Sequence, residues 1–363
     1  APQPVHARHR HGAGRQHDHG KAAALHGARA FRAARHLIAT ALFAVATGLA
    51  LAQIAPEQTG PAPPDEPLRI ATFATELSRD GPGLLLRDIL EGDDQGEAVA
   101  RVVAAADPDV LLLTGIDYDL LGVALAALAE RLAAAGAASP YRVALRPNSG
   151  RASGTDLDGD GRSHRARDSH GFGTFSGQGG LALLSRLPVV ETEVRDFSEL
   201  LWRDLPGARL PVVDGQPFPS AQAQAVQRLS ATAHWDVPLE TPSGGRLHLL
   251  AFAASPPVFD GPEDRNGLRN ADEIRFWQLL LDGRVAPPPA GPFVILGTAN
   301  LDPVDGEGRH QAIRALLDDP RLQDPQPRGT GGAQAGTPGH RGDPGLDTAC
   351  LLYTSDAADD LYT

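Results

Sequence analysis

Short apolar runs closed by turn-forming or charged residues constrain this chain more than any other feature. They stand at Leu68–Ala74, Val110–Leu113, Gly180–Ser185, Arg246–Ala253 and Phe293–Leu296, with an alternating stretch at Arg228–Trp235. Runs this short fit buried or half-buried strands better than helices. Between them lie helical patterns. Glu97–Ala106 puts Val99, Val102, Val103 and Ala106 on one face, the spacing of an amphipathic helix. Leu121–Ala135 is rich in Ala and Leu, Ala271–Leu281 aligns Ile274, Trp277 and Leu281, and His310–Leu317 completes the set. Asn270 and Glu273 have the spacing of a capping box, which predicts a helix start there. Some strands follow one another without a helix between them. That predicts a mixed sheet rather than a strict alternation of parallel strands and helices. The sequence has no internal repeat, no GxGxxG, no phosphate loop and no HExxH.

The two ends read differently from this body. Residues 1–28 hold six His in a polar, low-complexity run, which we read as a disordered or spurious upstream segment. Arg29, Arg32 and Arg35 then precede the apolar run Leu37–Leu51 and an Ala50-Leu51-Ala52 site. A basic region, a short apolar core and an Ala-x-Ala site predict a signal peptide over residues 29–52. The run is short for a membrane span, so no stable transmembrane segment is expected after cleavage. Residues 53–67 form a Pro-rich linker, and the body occupies 68–349. Residues 350–363 resemble a translated sequencing-library adapter, and they contain the single Cys. A chain of 363 residues without Met also predicts missing or spurious ends. The expected location is the periplasm or the cell exterior.

The net charge is −12, although basic residues crowd the first 36 positions, so the body is still more acidic. Such a surface opposes non-specific binding to the phosphates of nucleic acid, which depends on Lys and Arg. One local motif points to a cation. Asp156, Asp158 and Asp160 occupy positions 1, 3 and 5 of a turn, with Gly161 at position 6. Hard cations such as Ca²⁺ favour carboxylate oxygens on a tightly turned backbone. The twelfth position is Arg167 rather than a bidentate Glu, and Asp168 next to it is a substitute.

Five segments resemble, in order, the endonuclease/exonuclease/phosphatase superfamily, the fold of pancreatic deoxyribonuclease-type nucleases and neutral sphingomyelinases. They are Leu68-Arg-Ile-Ala-Thr-Phe73, Pro108-Asp-Val-Leu-Leu-Leu113, Gly180-Leu-Ala-Leu-Leu-Ser-Arg-Leu-Pro188, Leu247-His-Leu-Leu-Ala-Phe252 and Phe293-Val-Ile-Leu-Gly-Thr-Ala-Asn-Leu-Asp302. Pro256–Asn266 resembles a bacterial subgroup. The resemblance implies a mixed α/β fold: a four-layer sandwich of two packed, mostly antiparallel mixed sheets with outer helices. It also implies phosphoester hydrolysis with Mg²⁺ or Mn²⁺. That chemistry needs a carboxylate-held cation, a base for the attacking water and donors for the developing oxyanion.

This chain departs from the active pattern at named positions. Ala74 stands where active members carry Asn, Thr114-Gly115 where a metal-binding Glu is usual, and Ala253 where a His is usual. In the last motif Thr298 replaces an Asp and Asn300 is kept, while the final Asp and His motifs belong beyond Ala349. The catalytic candidates are therefore Asn300 and Asp117. The metal candidates are Asp117 and Glu76, besides Asp156, Asp158 and Asp160. Arg186 and Asn148 are candidates for substrate binding. Asp119 and Asp302 are further acids near the strand ends, and His234 and His248 read as structural. Two functions follow: an exported hydrolase of a phosphoester with altered metal ligation, or a catalytically inactive exported binding or structural domain of the same fold.

Overall fold

The structure is a computed structural model that describes residues 67–334 and 339–348. The predicted upstream run, signal peptide and adapter-like tail lie outside the described residues, as does the linker up to residue 66. No helix among the described residues is long and apolar enough to cross a membrane.

In chain order the strands are β1 (Ile70–Leu77), β2 (Val110–Ile116), β3 (Tyr141–Val143), β4 (Gly180–Ser185), β5 (Arg195–Asp196), β6 (Val212–Val213), β7 (Gln216–Pro217), β8 (Ala233–Glu240), β9 (Arg246–Ala253) and β10 (Phe293–Thr298). The helices are α1 (Leu84–Glu91), α2 (Asp94–Ala106), α3 (Val123–Ala134), α4 (Ala221–Val226), α5 (Arg265–Leu281), α6 (Gln311–Leu317) and α7 (Thr330–Gln334). One sheet runs β1-β2-β4-β3 and the other β10-β9-β8-β5, while β6 and β7 form a separate hairpin. Within each large sheet one pair is parallel (β1 with β2, β9 with β10) and the remaining pairs are antiparallel. The mixed sheets expected from the sequence are therefore present.

Alternation along the strands builds the layers. Val110 and Leu112 of β2 and Leu181 and Leu183 of β4 face Trp235, Val237, Leu249 and Ala251 of the second sheet. The opposite faces of β2 and β4, with Leu111, Leu113, Ala182 and Leu184, pack on Leu85, Val99 and Leu128 from α1, α2 and α3. On the far side, Leu250 and Phe252 meet Ile274, Phe276 and Trp277 of α5 and Ile313 of α6. The order is helices, sheet, sheet, helices, the predicted four layers. Each fully buried leucine contributes roughly 2 kcal/mol by leaving water.

Helix α5 corrects one expectation. It starts at Arg265, so Asn270 and Glu273 lie inside the helix and form no capping box. Both are fully buried. Glu273 accepts hydrogen bonds from the amide of Ala231 (2.6 Å) and from the amide and hydroxyl of Ser255 (2.7 and 2.6 Å). The amide of Asn270 donates to the carbonyls of Ser255 and Ala299 at 2.7 and 2.8 Å. One helix face thus ties together the start of β8, the exit of β9 and the exit of β10. The alternating stretch at Arg228–Trp235 is likewise shorter in β form than expected. Its first residues run as loop, and β8 begins at Ala233.

His234 and His248 are both buried and hydrogen-bonded, as expected of structural histidines, with His248 Nδ1 2.8 Å from Asp236 Oδ1. His234 is fully buried, with Nδ1 at 2.7 Å from Ser230 Oγ and Nε2 at 3.0 Å from the Glu273 carbonyl. Burial pushes its pKa down to about 4. The native state then refuses a proton that the unfolded chain accepts near the ordinary value of 6.5. Stability contributed by neutral His234 is complete above that value and is lost as the pH falls from 6.5 toward 4. The full loss is roughly 3 kcal/mol from this one side chain. Urea unfolding should therefore show a midpoint that drops steadily between about pH 7 and pH 5, with proton uptake on unfolding. A midpoint flat across that range would contradict neutral burial of His234.

Candidate functional site

The parallel pairs bring four strand ends to the same edge. β10 packs beside both β1 and β2 there, so the ends of β1, β2, β9 and β10 are neighbours. This is where the resemblance placed its metal and acid–base groups. Thr114 Oγ1 and Thr298 Oγ1 share a 2.9 Å hydrogen bond across the two sheets. Thr75 adds a hydroxyl that donates to the Thr114 carbonyl at 3.1 Å. The positions where the resemblance expects an Asn, a metal-binding Glu, a His and an Asp are filled by Ala74, Thr114-Gly115, Ala253 and Thr298. Methyl groups, a hydrogen and hydroxyls are not a donor set for Mg²⁺ or Mn²⁺, which demand several hard, charged oxygens. Those replaced positions offer no donor set for a catalytic divalent ion.

The backbone here is bent as well. Relative to β4, β2 carries an extra residue at Gly115, because Thr114 and Ile116 pair with the consecutive Leu181 and Gly180. Gly115 adopts φ 70°, Glu76 opposite it φ 52° and Asn300 φ 50°. A bulge of this kind re-aims side chains beyond it. Ile116 takes the core position and Asp117 emerges at the strand end.

Each candidate finds a defined place. Asp117 is nearly buried and accepts from Ser78 Oγ, the Arg79 amide and the Gly179 amide, all at 2.9 Å. Its carboxylate ties the exits of β1 and β2 to the entry of β4. Glu76 is exposed and makes no side-chain hydrogen bond among the described residues. Asn300 is exposed, with its amide donating to the Ala254 carbonyl at 2.8 Å. Asp119 accepts from the amides of Leu121, Val123 and Ala124 at the start of α3. Asp302 accepts from Val304 and Asp305 in a tight turn.

Of the two substrate-binding candidates, Asn148 lies beside this edge, its backbone amide donating to the Thr232 carbonyl just before Ala233, which pairs with Ala253, whereas Arg186 does not join it. Arg186 follows β4, whose last residue Ser185 pairs with Val110 at the opposite end of β2. Seven strand residues separate it from Asp117, roughly 20 Å. Its guanidinium is engaged by Asp107 and Asp109. Asn148 is fully buried, with both amide hydrogens donated to the carbonyls of Ser198 and Ser230 and its oxygen accepting from Arg228 Nη1 at 2.8 Å. The side chain holds loops together and keeps no donor for a ligand.

The acidic turn forms a separate cluster, with one exchange of members. One carboxylate oxygen each from Asp156, Asp158 and Asp168 lie within 4.8 Å of one another. Asp160, expected as a ligand, is drawn away by a 3.2 Å ion pair with Arg165. Asp168 enters from the 3₁₀ turn Ala166–Asp168, held by the amides of Leu157 and Arg165. Burial works to raise the Asp156 carboxyl, but the amides of Gly159, Gly161 and Asp158 outweigh it and leave it below the ordinary range. Asp158 is pushed up, first by burial and then, against the amide of Asp160, by the charges of Asp160 and Asp168. Among the described residues no ion pair neutralises any of the three. Arg265 approaches from α5 but donates to the Leu157 carbonyl. Three hard oxygens without an ion-pair partner among the described residues fit a divalent cation. A cleft of about 170 Å³, lined by Gly150, His164, Asp168 and Thr174 among others, borders the cluster.

Sequence reasoning missed a basic group on the second sheet's side, formed by Arg151, Arg228, Arg269 and Glu199. Its members come from distant segments, and no local spacing announces them.

No curated protein matches the chain. Among solved structures, an endonuclease/exonuclease/phosphatase from Beutenbergia cavernae is 18% identical, with a TM-score of 0.46, over 77% of this chain and 62% of that one. The chain thus spans less than two thirds of that protein. Sphingomyelinase C from Streptomyces griseocarneus is 20% identical, with a TM-score of 0.39, over 72% of each chain. A beta toxin from Staphylococcus aureus, solved with bound magnesium ions, is 12% identical, with a TM-score of 0.38 and the same coverage of both chains. The sequence profile of the endonuclease/exonuclease/phosphatase family matches residues 83–348, nearly the whole of the sandwich. This chain belongs to that family.

Proposed function

We propose that this protein is an exported, non-catalytic member of the family: a phosphoesterase sandwich that serves as a binding or structural domain. The observation that carries the reading is the hydrogen bond between Thr114 and Thr298. It joins the two sheets with uncharged hydroxyls where the family's active pattern places cation-holding and orienting acids. Loss of a single acid–base group costs on the order of 10²–10⁴-fold in rate. Here several such positions are replaced together. Asp117, the best-placed acid, is engaged by three donors that fix loops. Export rests on the basic and apolar pattern of residues 29–52, and the acidic charge favours ligands other than bulk nucleic acid.

The test is hydrolysis by the full chain with Mg²⁺ or Mn²⁺ on bis-p-nitrophenyl phosphate, plasmid DNA and sphingomyelin. No turnover above buffer is expected on any of the three. Turnover abolished by Asp117→Ala or Asn300→Ala would overturn the reading in favour of a hydrolase with altered ligation.

A second part of the reading concerns the cation. Asp156, Asp158 and Asp168 hold a divalent ion, Ca²⁺ by the hardness and number of their oxygens, as a brace for the loop between β3 and β4. Binding to the native state raises stability by mass action. With Ca²⁺ at about 100 times its dissociation constant, the gain is about 2.7 kcal/mol, read as a higher melting temperature. Asp158→Asn should remove most of that calcium-dependent shift. Melting curves identical with calcium and with chelator would end this part and leave the non-catalytic reading untouched.

A further inference from the structure

The loops before β8 carry a concentration of positive charge that the acidic chain does not otherwise explain. Arg151 Nη1 and Arg228 Nη2 both donate to Glu199 Oε1 at 3.1 Å. Arg269, buried in α5, donates to the carbonyls of Leu229, Arg228 and His170. His170 is 8% exposed, and among the described residues its Nδ1 has no hydrogen-bond partner. Two guanidiniums thus share the Glu199 carboxylate, while Arg269 behind them is offset by the buried Glu273. Asp196 contributes at longer range to Arg228 and has its own partner in the Ser198 amide. Glu199 is the exposed member, with 66% of its side chain open to solvent, whereas Arg228 keeps 13%.

This arrangement has the chemistry of an anion site that carries its own stand-in. Guanidinium forks match carboxylate and phosphate oxygens alike. An exposed carboxylate shared by two of them is weakly held in water and readily replaced. Removing it leaves a surplus that suits an ion of two negative charges. We propose that Arg151, Arg228 and His170 form a binding site for a phosphomonoester dianion, with Glu199 as the built-in carboxylate that the ligand displaces. Arg269 positions the group by holding the His170 and Arg228 carbonyls. The site needs neither the strand-end residues nor a divalent ion, so it stands or falls apart from the non-catalytic reading.

Calorimetric titration of the full chain with inorganic phosphate tests this. The buffer holds EDTA at about pH 7.5, where phosphate is mostly dianionic, and sodium chloride of equal ionic strength is the reference. Saturable phosphate binding is expected. Arg151→Gln should weaken it by about tenfold, the size of one charge-assisted hydrogen bond. Arg151 is the safer variant because its side chain bonds only Glu199 among the described residues, whereas losing Arg228 would orphan the buried Asn148 oxygen. Glu199→Gln removes the competitor and should tighten binding by about threefold or more, the reverse of what a purely structural ion pair predicts. Dimethyl phosphate, a monoanion, should bind more weakly than phosphate. Phosphate heats no larger than chloride heats in both wild type and Glu199→Gln, or affinity unchanged by Arg151→Gln, would overturn the proposal. Equal affinity for dimethyl phosphate would overturn the assignment to a dianion.

Discussion

The carboxylate of Glu273 is the interaction on which the second half of the molecule depends. It sits in a helix, fully buried, and receives three hydrogen bonds from the start of β8 and the exit of β9. Neighbouring Asn270 takes in the exits of β9 and β10. Burial pushes the Glu273 pKa up, while Arg269 and the donors from Ser255 and Ala231 work against it. An acid in such a place is costly to strip of its partners, on the order of 3–5 kcal/mol. Hydrophobic layers determine that two sheets stack. This polar clamp determines where the strand ends stop, and so which residues share the edge.

That division of labour explains how the family scaffold stands with Ala74, Gly115, Ala253 and Thr298 at its strand ends. None of the large apolar clusters draws on the replaced acids. The interlayer core is built from Trp235, Val237, Leu249, Leu112 and their neighbours, which are indifferent to the chemistry at the strand ends. The Thr114–Thr298 hydroxyl pair then closes the gap without charge. A buried neutral hydrogen bond contributes about 1 kcal/mol, whereas unneutralised acids facing one another would repel. Without a cation, threonines are the quieter solution at this junction.

The strands were legible in the sequence because a two-faced sheet element must be apolar throughout, and Val110–Leu113 and Gly180–Ser185 are. Helix α2 was legible through Val99 and Val103, which are buried, although Val102 and Ala106 of the same predicted face are exposed and Ala100 is buried instead. Helix α5 was half hidden, since Arg269, Asn270, Asp272 and Glu273 are all buried within it and a polar stretch reads as a helix start or a loop. Tertiary contacts, not local pattern, make those residues interior. The acidic turn was visible, and so was Asp168 as a substitute, but the exclusion of Asp160 was not. An ion pair to Arg165 removes Asp160, and a short 3₁₀ turn supplies Asp168. The edge residues Ala74, Gly115, Ala253 and Thr298 were located by resemblance alone. Arg151, Glu199 and Arg228 could not be joined by any spacing rule, because only the folded chain makes them neighbours.

The twist at Gly115 limits which residue the strand end accepts. A side chain added there would enter a left-handed backbone and lie 3.4 Å from the Glu76 nitrogen. Any side chain placed there would carry a left-handed backbone cost of about 1–2 kcal/mol, so the bend itself favours glycine and leaves the strand end without a carboxylate at this position.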